Sequence, residues 1–138
     1  MVMECLRAQE LLAEEGVQAE VLDPISLAPL DIDTIIDSVN RTGNLLVVDT
    51  AWTNCGASAE IIARVAESPR ILRGVRMARM GYAATTCPPS PPIEQEFYPN
   101  AAKIAAKAYE MVRPESAGWT PDVTRAMLTH QLQFRGPF

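Results

Sequence analysis

Apolar and polar residues recur along this chain with two different periods. Residues 3–15 carry apolar side chains three and four positions apart, which predicts a helix, and Gly16 is suited to close it in a left-handed cap. Residues 17–21 instead alternate one apolar with one polar side chain, as in a half-buried strand. Asp23-Pro24 ends that strand. The chain therefore opens with a predicted helix and then a strand near a sheet edge, and no internal repeat is apparent.

The stretch APLDIDTIIDSVNRTG predicts the second helix most clearly. Asp31 can cap its start, Arg41 stands in its last turn where a cation favours the helix dipole, and Gly43 can end it. One apolar face forms at helical spacing: Ile32, Ile35, Ile36 and Val39. This face is expected to pack on a sheet.

The strand predicted over residues 45–48 is uniformly apolar. A strand without polar alternation is typical of the centre of a parallel sheet covered on both faces. The segment after it predicts a helix with one apolar face, made of Ala57, Ile61, Ile62, Val65 and Ala66. Helix, strand and helix therefore follow one another here.

Three more segments complete the pattern. Residues 74–80 predict a peripheral strand, because Arg76 and Arg79 interrupt its apolar residues. The proline-rich CPPSPPIEQEFYPN predicts an extended connector, since proline lacks a backbone donor and fixes its own torsion. AAKIAAKAYEMV predicts a helix with inward-facing Ile104, Ala105, Ala108, Met111 and Val112.

Helices that alternate with strands predict a three-layer α/β/α sandwich around a mostly parallel sheet. We expect this domain to span residues 1–113. Residues 114–138 are expected to form an extension, in which TPDVTRAMLTHQL predicts a short amphipathic helix with Thr120 as its cap and Pro121 in its first turn. The inward-facing residues of that helix would be Val123, Met127 and His130.

Composition and charge limit which partners the protein can bind and in which compartment we expect it. The 138 residues are 48% hydrophobic and 21% charged, which fits one globular domain. A net charge of -5 and a pI near 4.8 argue against binding to nucleic acid or to an anionic membrane, because both require a basic surface. No apolar stretch is long enough to span a membrane and no secretory signal pattern opens the sequence, so we expect a cytoplasmic protein.

The cysteines and the single histidine give no strong sign of chemistry. Cys5, Cys55 and Cys87 are odd in number and lack CxxC spacing, so we expect reduced structural thiols rather than disulfide or zinc ligands. His130 has no serine or cysteine at motif spacing to pair with, and a place on the tail helix is its expected role.

The junction NLLVVDTAWTNCGASAEI is the most suggestive local motif, because exposed amides at a helix start can bind an anion. It lacks GxGxxG, a phosphate-binding loop and a neighbouring lysine, so a structural turn is the favoured interpretation. Asp49 ends its strand where sites gather in α/β proteins. A single carboxylate is weak evidence for a site, and a subunit contact around Trp52 is the other interpretation.

Other acidic and aromatic residues have both functional and structural interpretations. Together with Asp49, the residues Asp23, Asp31, Asp33 and Asp37 suggest a carboxylate pocket. Asp31, Asp33 and Asp37 lie at or near one helix start, where capping and solvation explain them better. Phe97 and Tyr98 suit either an interface or local packing beneath the prolines. The candidate contact residues are Trp52, Phe97 and Tyr98.

The order of these segments resembles the C-terminal domain of the transketolase superfamily. The resemblance is carried by LLAEEGVQAEVLDPISLAPLD, TGNLLVVD, GASAEIIARVAE and PPIEQEFYPNAAKIAAKA, in that order. Over about residues 1–112 the chain looks closest to the β subunits of 2-oxo acid dehydrogenases, such as pyruvate dehydrogenase, and of acetoin dehydrogenases. Two features depart from the family pattern: the strand before the first helix is missing, and Cys55-Gly56 replaces a glycine pair.

This resemblance implies thiamine diphosphate and magnesium for the complete enzyme, which would decarboxylate a 2-oxo acid and pass the acyl unit to lipoyl groups, or carry out a related ketol transfer. The family binds its cofactor in other domains, so we expect no catalytic, cofactor-binding or metal-binding residue in this chain. In the family this domain supports dimerisation and can contact the subunit-binding domain of the acyltransferase. We therefore expect a domain that is inactive alone and assembles with a second copy or a companion subunit.

Two questions stay open at this point. The sequence is either a fragment or a reduced relative whose sheet edge invites pairing with a neighbour. A free-standing flavodoxin-like or receiver-like module that binds a small anion near Asp49 is the alternative hypothesis for its function. A receiver would need an acidic pair after its first strand and a lysine at a late strand end, and the sequence pattern has neither. A regulator derived from the enzyme domain is a third hypothesis.

Overall fold

A computed structural model describes residues 1–122 of the chain, apart from the side chains of residues 91, 92 and 95. Two parallel strands form its sheet, β1 (Asn44–Trp52) and β2 (Arg76–Tyr82). The helices of this part are α1 (Val2–Glu14), α2 (Ile32–Thr42), α3 (Ala57–Glu67), α4 (Pro91–Phe97) and α5 (Ala101–Val112), followed by a 3₁₀ turn at Pro114–Ser116. The order of helices and strands agrees with the predicted α/β class.

The sheet separates two hydrophobic clusters. The α1 cluster lies on the face covered by α1 and α5 and consists of Ala8, Leu12, Val17, Ile104, Ala105 and Tyr109. The α2 cluster lies on the face covered by α2 and α3 and consists of Leu30, Ile35, Ile36, Val39, Ile61 and Val65. Because β1 sends Leu46 and Val48 to the first cluster and Leu45 and Val47 to the second, three layers form around it.

Local signals in the sequence set the boundaries of α2. The Asp31 carboxylate accepts a hydrogen bond from the Thr34 amide at 3.1 Å and so caps the start. Gly43 ends the helix at a φ of 72°, a conformation that costs glycine little. The predicted apolar face is confirmed, since Ile35, Ile36 and Val39 are buried.

Two predicted elements are wrong. Residues 17–21 are extended but form no strand, because within residues 1–122 β1 and β2 pair only with each other. An alternating sequence favours a strand, but a strand also needs a neighbour to satisfy its backbone. The proline-rich connector contains α4, whose first turn holds Pro91 after Ser90. Proline fits there because the first helical N–H groups have no partner within the helix.

Corrections to the predicted helical faces are small. On α3, Ala66 is exposed and Ser58 is buried in its place. On α5, Val112 is 43% exposed because the helix ends there, whereas Tyr109 is buried. The inward positions of Ile61, Val65, Ile104, Ala105 and Met111 are confirmed.

Beyond α5 the chain stays on the body of the domain as far as it is described. The Trp119 ring lies 4.5 Å from the Tyr109 ring, centroid to centroid, and Pro121 is buried. The predicted tail helix, with Val123, Met127 and His130, lies outside the described residues. The division of the chain at residue 113 stays a prediction.

Two further features concern the described part as a whole. All three cysteines are free thiols, of which Cys5 is half-buried whereas Cys55 and Cys87 are exposed. None of the helices within residues 1–122 is long and apolar enough to cross a membrane.

Candidate functional site

The carboxyl end of the sheet is shaped by an irregularity in β1. The register of the two strands shifts between Val48 and Trp52, so that Trp52 pairs with Tyr82. The backbones approach closely at this point: a Cβ added to Gly81 would lie 2.2 Å from the Ala51 carbonyl oxygen. A glycine is therefore required there, and the shift turns the Trp52 side chain toward Tyr82.

Four side chains meet at this end and are called the aromatic cluster: Trp52, Tyr82, Phe97 and Tyr98. Tyr82 lies at its centre, stacked on Phe97 at 4.8 Å and edge-on to Trp52 at 6.3 Å and to Tyr98 at 5.3 Å. Phe97 and Tyr98 also meet edge-on at 5.0 Å. Such stacked and edge-on pairs each add about 0.5–1.5 kcal/mol beyond the buried area.

The members of the aromatic cluster differ in exposure, and this difference separates their roles. Trp52 is 52% exposed and Tyr98 is 37% exposed, whereas Phe97 is only 5% exposed. Phe97 therefore supports the surface from beneath, as the local-packing interpretation expects. Trp52 and Tyr98 are the members that a partner can reach.

Backbone contacts hold the aromatic cluster in place. The Ala83 amide donates to the Phe97 carbonyl oxygen at 3.0 Å, which ties the end of β2 to the end of α4. The Trp52 indole N–H donates to the Thr85 carbonyl oxygen at 3.4 Å. The ring of Trp52 is thus oriented even though half of it faces solvent.

Sequence reasoning identified Trp52, Phe97 and Tyr98 but missed Tyr82. The structure brings all four together, with Tyr82 as the link between β1 and α4. No periodic pattern marks Tyr82, because it lies just past the apolar residues of its strand. Only the pairing register of β1 and β2 places it opposite Trp52.

Tyr98 also contacts a thiol. Its hydroxyl lies 3.6 Å from the Cys87 sulfur, and this hydrogen bond is the main reason that the pKa of the phenol is raised above its usual value. The phenol consequently stays neutral over a wider pH range than a free tyrosine. Because both residues are exposed, this pair lies at the surface rather than in a catalytic pocket.

The strand-to-helix junction is a tight structural turn. Cys55 adopts a φ of 59°, and a Cβ added to Gly56 would lie 2.5 Å from the Trp52 carbonyl oxygen. The same added atom would lie 3.5 Å from Oδ2 of Asp49, so that carboxylate sits beside the start of α3. Oδ2 is buried and has no hydrogen-bond partner among the described residues. A carboxylate already in this position repels a phosphate or another anion.

The remaining acidic residues are explained by α2. Asp31 accepts from both the amide and the hydroxyl of Thr34, and the bond from the hydroxyl is the largest cause of its lowered pKa. Asp33 and Asp37 both pair with Arg70, which lies on the loop after α3. The contacts of Asp31, Asp33 and Asp37 confirm that these residues cap α2 or carry surface charge. Asp23 is exposed.

Comparison with known proteins identifies a matching family and similar proteins over most of the chain. The family described as Transketolase, C-terminal domain matches residues 1–104. The subunit beta of acetoin:2,6-dichlorophenolindophenol oxidoreductase of Cupriavidus necator is 39% identical over 115 residues, which cover 82% of this chain and 33% of that protein. The protein of the same description from Bacillus subtilis is 36% identical over 107 residues, covering 78% of this chain and 31% of the relative.

A third relative carries a different description. The pyruvate dehydrogenase E1 component subunit beta of Staphylococcus aureus is 34% identical over 110 residues, which cover 80% of this chain and 34% of that protein. The chain thus spans about a third of the length of the curated relatives it matches.

Proposed function

Because the chain belongs to the transketolase C-terminal domain family, we propose that it is the assembly domain of a β subunit in a thiamine diphosphate-dependent 2-oxo acid or acetoin dehydrogenase. The relatives are described as beta subunits, and the matched region makes up about a third of each. A domain of that size within a subunit has its own core and can present a surface to other chains. Its partners are a second copy, a companion subunit or the subunit-binding domain of the acyltransferase.

The observation that carries this proposal is the exposure of Trp52 in the aromatic cluster. Tryptophan and tyrosine are enriched among the residues that dominate binding energy. The indole N–H of Trp52 is already bonded to the Thr85 carbonyl oxygen, so a partner that covers the ring leaves no polar group unpaired. The cluster also holds the ring oriented before binding, which lowers the entropy lost on association.

The described residues do not fit the cofactor of the complete enzyme. Magnesium takes oxygen ligands from carboxylates, phosphates and water, and within residues 1–122 no group of three histidine, cysteine or acidic residues could hold a metal ion. At the junction where an anion was considered, the Asp49 carboxylate lies 3.5 Å from where a Cβ on Gly56 would stand, beside the start of α3. As the family resemblance implies, we propose that thiamine diphosphate and magnesium bind in other parts of the complete enzyme and that this chain carries out no chemical step. No observation favours the alternative of a module that binds a small anion at Asp49.

The contact role of Trp52 is tested by the variant Trp52→Ala. The matched control is Leu72→Ala, which removes another exposed apolar side chain (59% exposed) from a residue outside the aromatic cluster. Sedimentation velocity is measured from about 1 to about 100 μM, for the chain alone and mixed with the companion and acyltransferase subunits of an acetoin dehydrogenase complex. We expect Trp52→Ala to weaken association roughly tenfold or more and Leu72→Ala to leave it unchanged.

Calorimetry tests the proposal that the cofactor binds in other parts of the complete enzyme. Titration of the chain with thiamine diphosphate and magnesium is expected to give no binding heat. Equal association of the two variants, or a chain that stays monomeric in every mixture, would refute the assembly role. Saturable binding of the cofactor would refute the assignment of its site to other domains.

A further inference from the structure

The outer edge of β2 is open within the part of the chain that the structure describes. The Arg76 amide donates to the Gly43 carbonyl oxygen at 3.0 Å, so the backbone groups of Arg76 point toward β1. The groups of successive strand residues point to opposite edges, and those of Met77 and Arg79 consequently face away from β1. Within residues 1–122, β2 pairs with no second strand, and no other backbone group bonds to Met77 or Arg79. Their N–H and C=O groups are therefore available to another extended chain.

The basic residues of the described part fall into two groups. One group forms ion pairs with carboxylates: Arg7, Arg41, Arg64, Arg70, Lys103 and Lys107. The other group forms no ion pair with any residue of that part: Arg73, Arg76, Arg79 and Arg113. Of this second group, Arg113 lies over the Tyr109 ring, and the rest lie in or just before β2. Residues 68–82 also contain no acidic side chain, so unpaired positive charge concentrates on a strand with an open edge.

Arg76 and Arg79 are exposed and are held on opposite faces of the sheet. The side chain of Arg76 donates to the Met111 carbonyl oxygen near the end of α5. The side chain of Arg79 donates to the Thr53 carbonyl oxygen at 2.6 Å, in the loop before α3. A carbonyl oxygen orients a guanidinium but does not neutralise it, and further N–H donors remain on each group. The two charges stand about 10 Å apart along the strand, which is the spacing of residues i and i+3.

The occupant of this edge has to match both the backbone and the charges. A peptide supplies N–H and C=O groups at the spacing of a strand, whereas a nucleic acid does not. A second copy paired through its own β2 would bring arginines of the two strands together, and like charges across a strand pair are unfavourable. Residues 123–138 contain Arg125 and Arg135 and no acidic residue, so charge disfavours them as well. An acidic segment of another protein is favoured by the same criterion.

We infer that β2 accepts an extended acidic segment of another protein as an additional strand. Two acidic side chains three positions apart would reach opposite faces and pair with Arg76 and Arg79, and the residues between them would be small or apolar. Arg73 adds positive charge just before the strand. Because the whole chain carries a net charge of -5, attraction at long range is weak and the contact depends on these arginines at short range. This inference does not rest on the proposed function.

Amide hydrogen exchange with a synthetic peptide tests the inference. The blocked peptide Ser-Gly-Glu-Val-Val-Glu-Gly-Ser is added to the 138-residue chain, and exchange is followed by NMR. The Met77 and Arg79 amides face the open edge, whereas the Ala78 and Met80 amides face β1 and serve as the internal control. At a peptide concentration about ten times its Kd, we expect exchange at Met77 and Arg79 to slow about tenfold and exchange at Ala78 and Met80 to stay unchanged.

Control peptides and variants separate the backbone contribution from that of charge. A peptide with lysine in place of both glutamates, and one with proline in place of both valines, are expected to bind at least about tenfold more weakly. Arg76→Gln and Arg73→Gln are each expected to weaken the acidic peptide about two- to fivefold. Arg64→Gln, which removes an exposed arginine already paired with Glu60 on α3, is expected to change nothing. If Arg76→Gln does not fold, the lysine peptide tests the same charge on the parent chain.

Several results would overturn the inference. Protection of Met77 and Arg79 before peptide is added shows that residues of the same chain cover the edge, or a second copy if it rises with protein concentration. Peptide binding that leaves these two amides unprotected places the contact elsewhere. Equal binding of the lysine peptide, or of a single-stranded oligonucleotide, removes the argument from charge or from the backbone. Failure of the acidic peptide to bind leaves the arginines as charges that only keep edge strands of neighbouring molecules apart.

Discussion

Replacement of Leu12 by alanine tests whether α1 is fastened to the sheet by side-chain packing. Leu12 is 2% exposed and lies in the α1 cluster, where its neighbours include the small side chains of Ala8 and Ala105. Small neighbours cannot extend to fill the space left by the lost carbons. Leucine-to-alanine changes at buried sites cost about 2–5 kcal/mol, and we expect about 3 kcal/mol here.

This free energy converts into a shift of the thermal midpoint. An unfolding entropy of about 2.1 cal/mol/K per residue gives about 0.26 kcal/mol/K for the 122 described residues. A loss of about 3 kcal/mol therefore lowers the midpoint by about 12 °C. Urea unfolding should show the same loss as a lower midpoint concentration with an unchanged slope.

Two further variants make the result for Leu12 decisive. Ile36→Ala removes a buried side chain (2% exposed) from the α2 cluster and is expected to cost a similar amount. Leu72→Ala truncates a side chain that is 59% exposed and is expected to stay within about 0.5 kcal/mol of the parent. If Leu12→Ala unfolds like Leu72→Ala, the α1 cluster does not stabilise the fold as described.

Three further predictions concern a cap, a turn and a hydrogen-bonded surface carboxylate. Asn100→Ala removes the side chain that caps α5 and should cost about 1 kcal/mol in urea unfolding, with most of the loss recovered in Asn100→Asp. Gly56→Ala forces a Cβ to within 2.5 Å of the Trp52 carbonyl oxygen and should cost about 1–3 kcal/mol and shift the fluorescence of Trp52; an unchanged spectrum and stability would contradict the close approach. The pKa of Glu20 is lowered, chiefly by the hydrogen bond from Ser38, so its contribution to stability is present above its ordinary pKa of 4.5 and is lost as the pH falls through the lower folded pKa. Urea unfolding between about pH 3 and pH 7 should therefore show a weaker acid dependence in Ser38→Ala, and identical profiles would contradict this reasoning.

The elements that sequence predicts well are those whose signals are local. The cap at Asp31, the apolar face and the terminal Gly43 all lie within one short stretch, and α2 forms between them as expected. Residues 17–21 carry an equally clear alternation, but a strand depends on a partner that is distant in sequence. A local pattern records the preference of a segment and not the presence of its neighbour.

The same limit applies to the candidate site. Trp52, Phe97 and Tyr98 could be chosen from the sequence because they stand beside a strand end and a proline-rich stretch. Their relation through Tyr82 depends on the register of β1 against β2, which no local pattern specifies. The burial of Phe97 likewise depends on the stack with Tyr82, so its supporting role could not be separated from a contact role in advance.

The sheet divides the hydrophobic core into two clusters, and this division has an evolutionary consequence. Leu46 and Val48 share their environment with α1 and α5, while Leu45 and Val47 share theirs with α2 and α3. A change of volume at one of these positions is felt mainly on one side of the sheet, because coupling between substitutions falls off without shared contacts. In an alignment of relatives, compensating substitutions should thus group into two sets that vary independently, with neighbouring residues of β1 assigned to opposite sets.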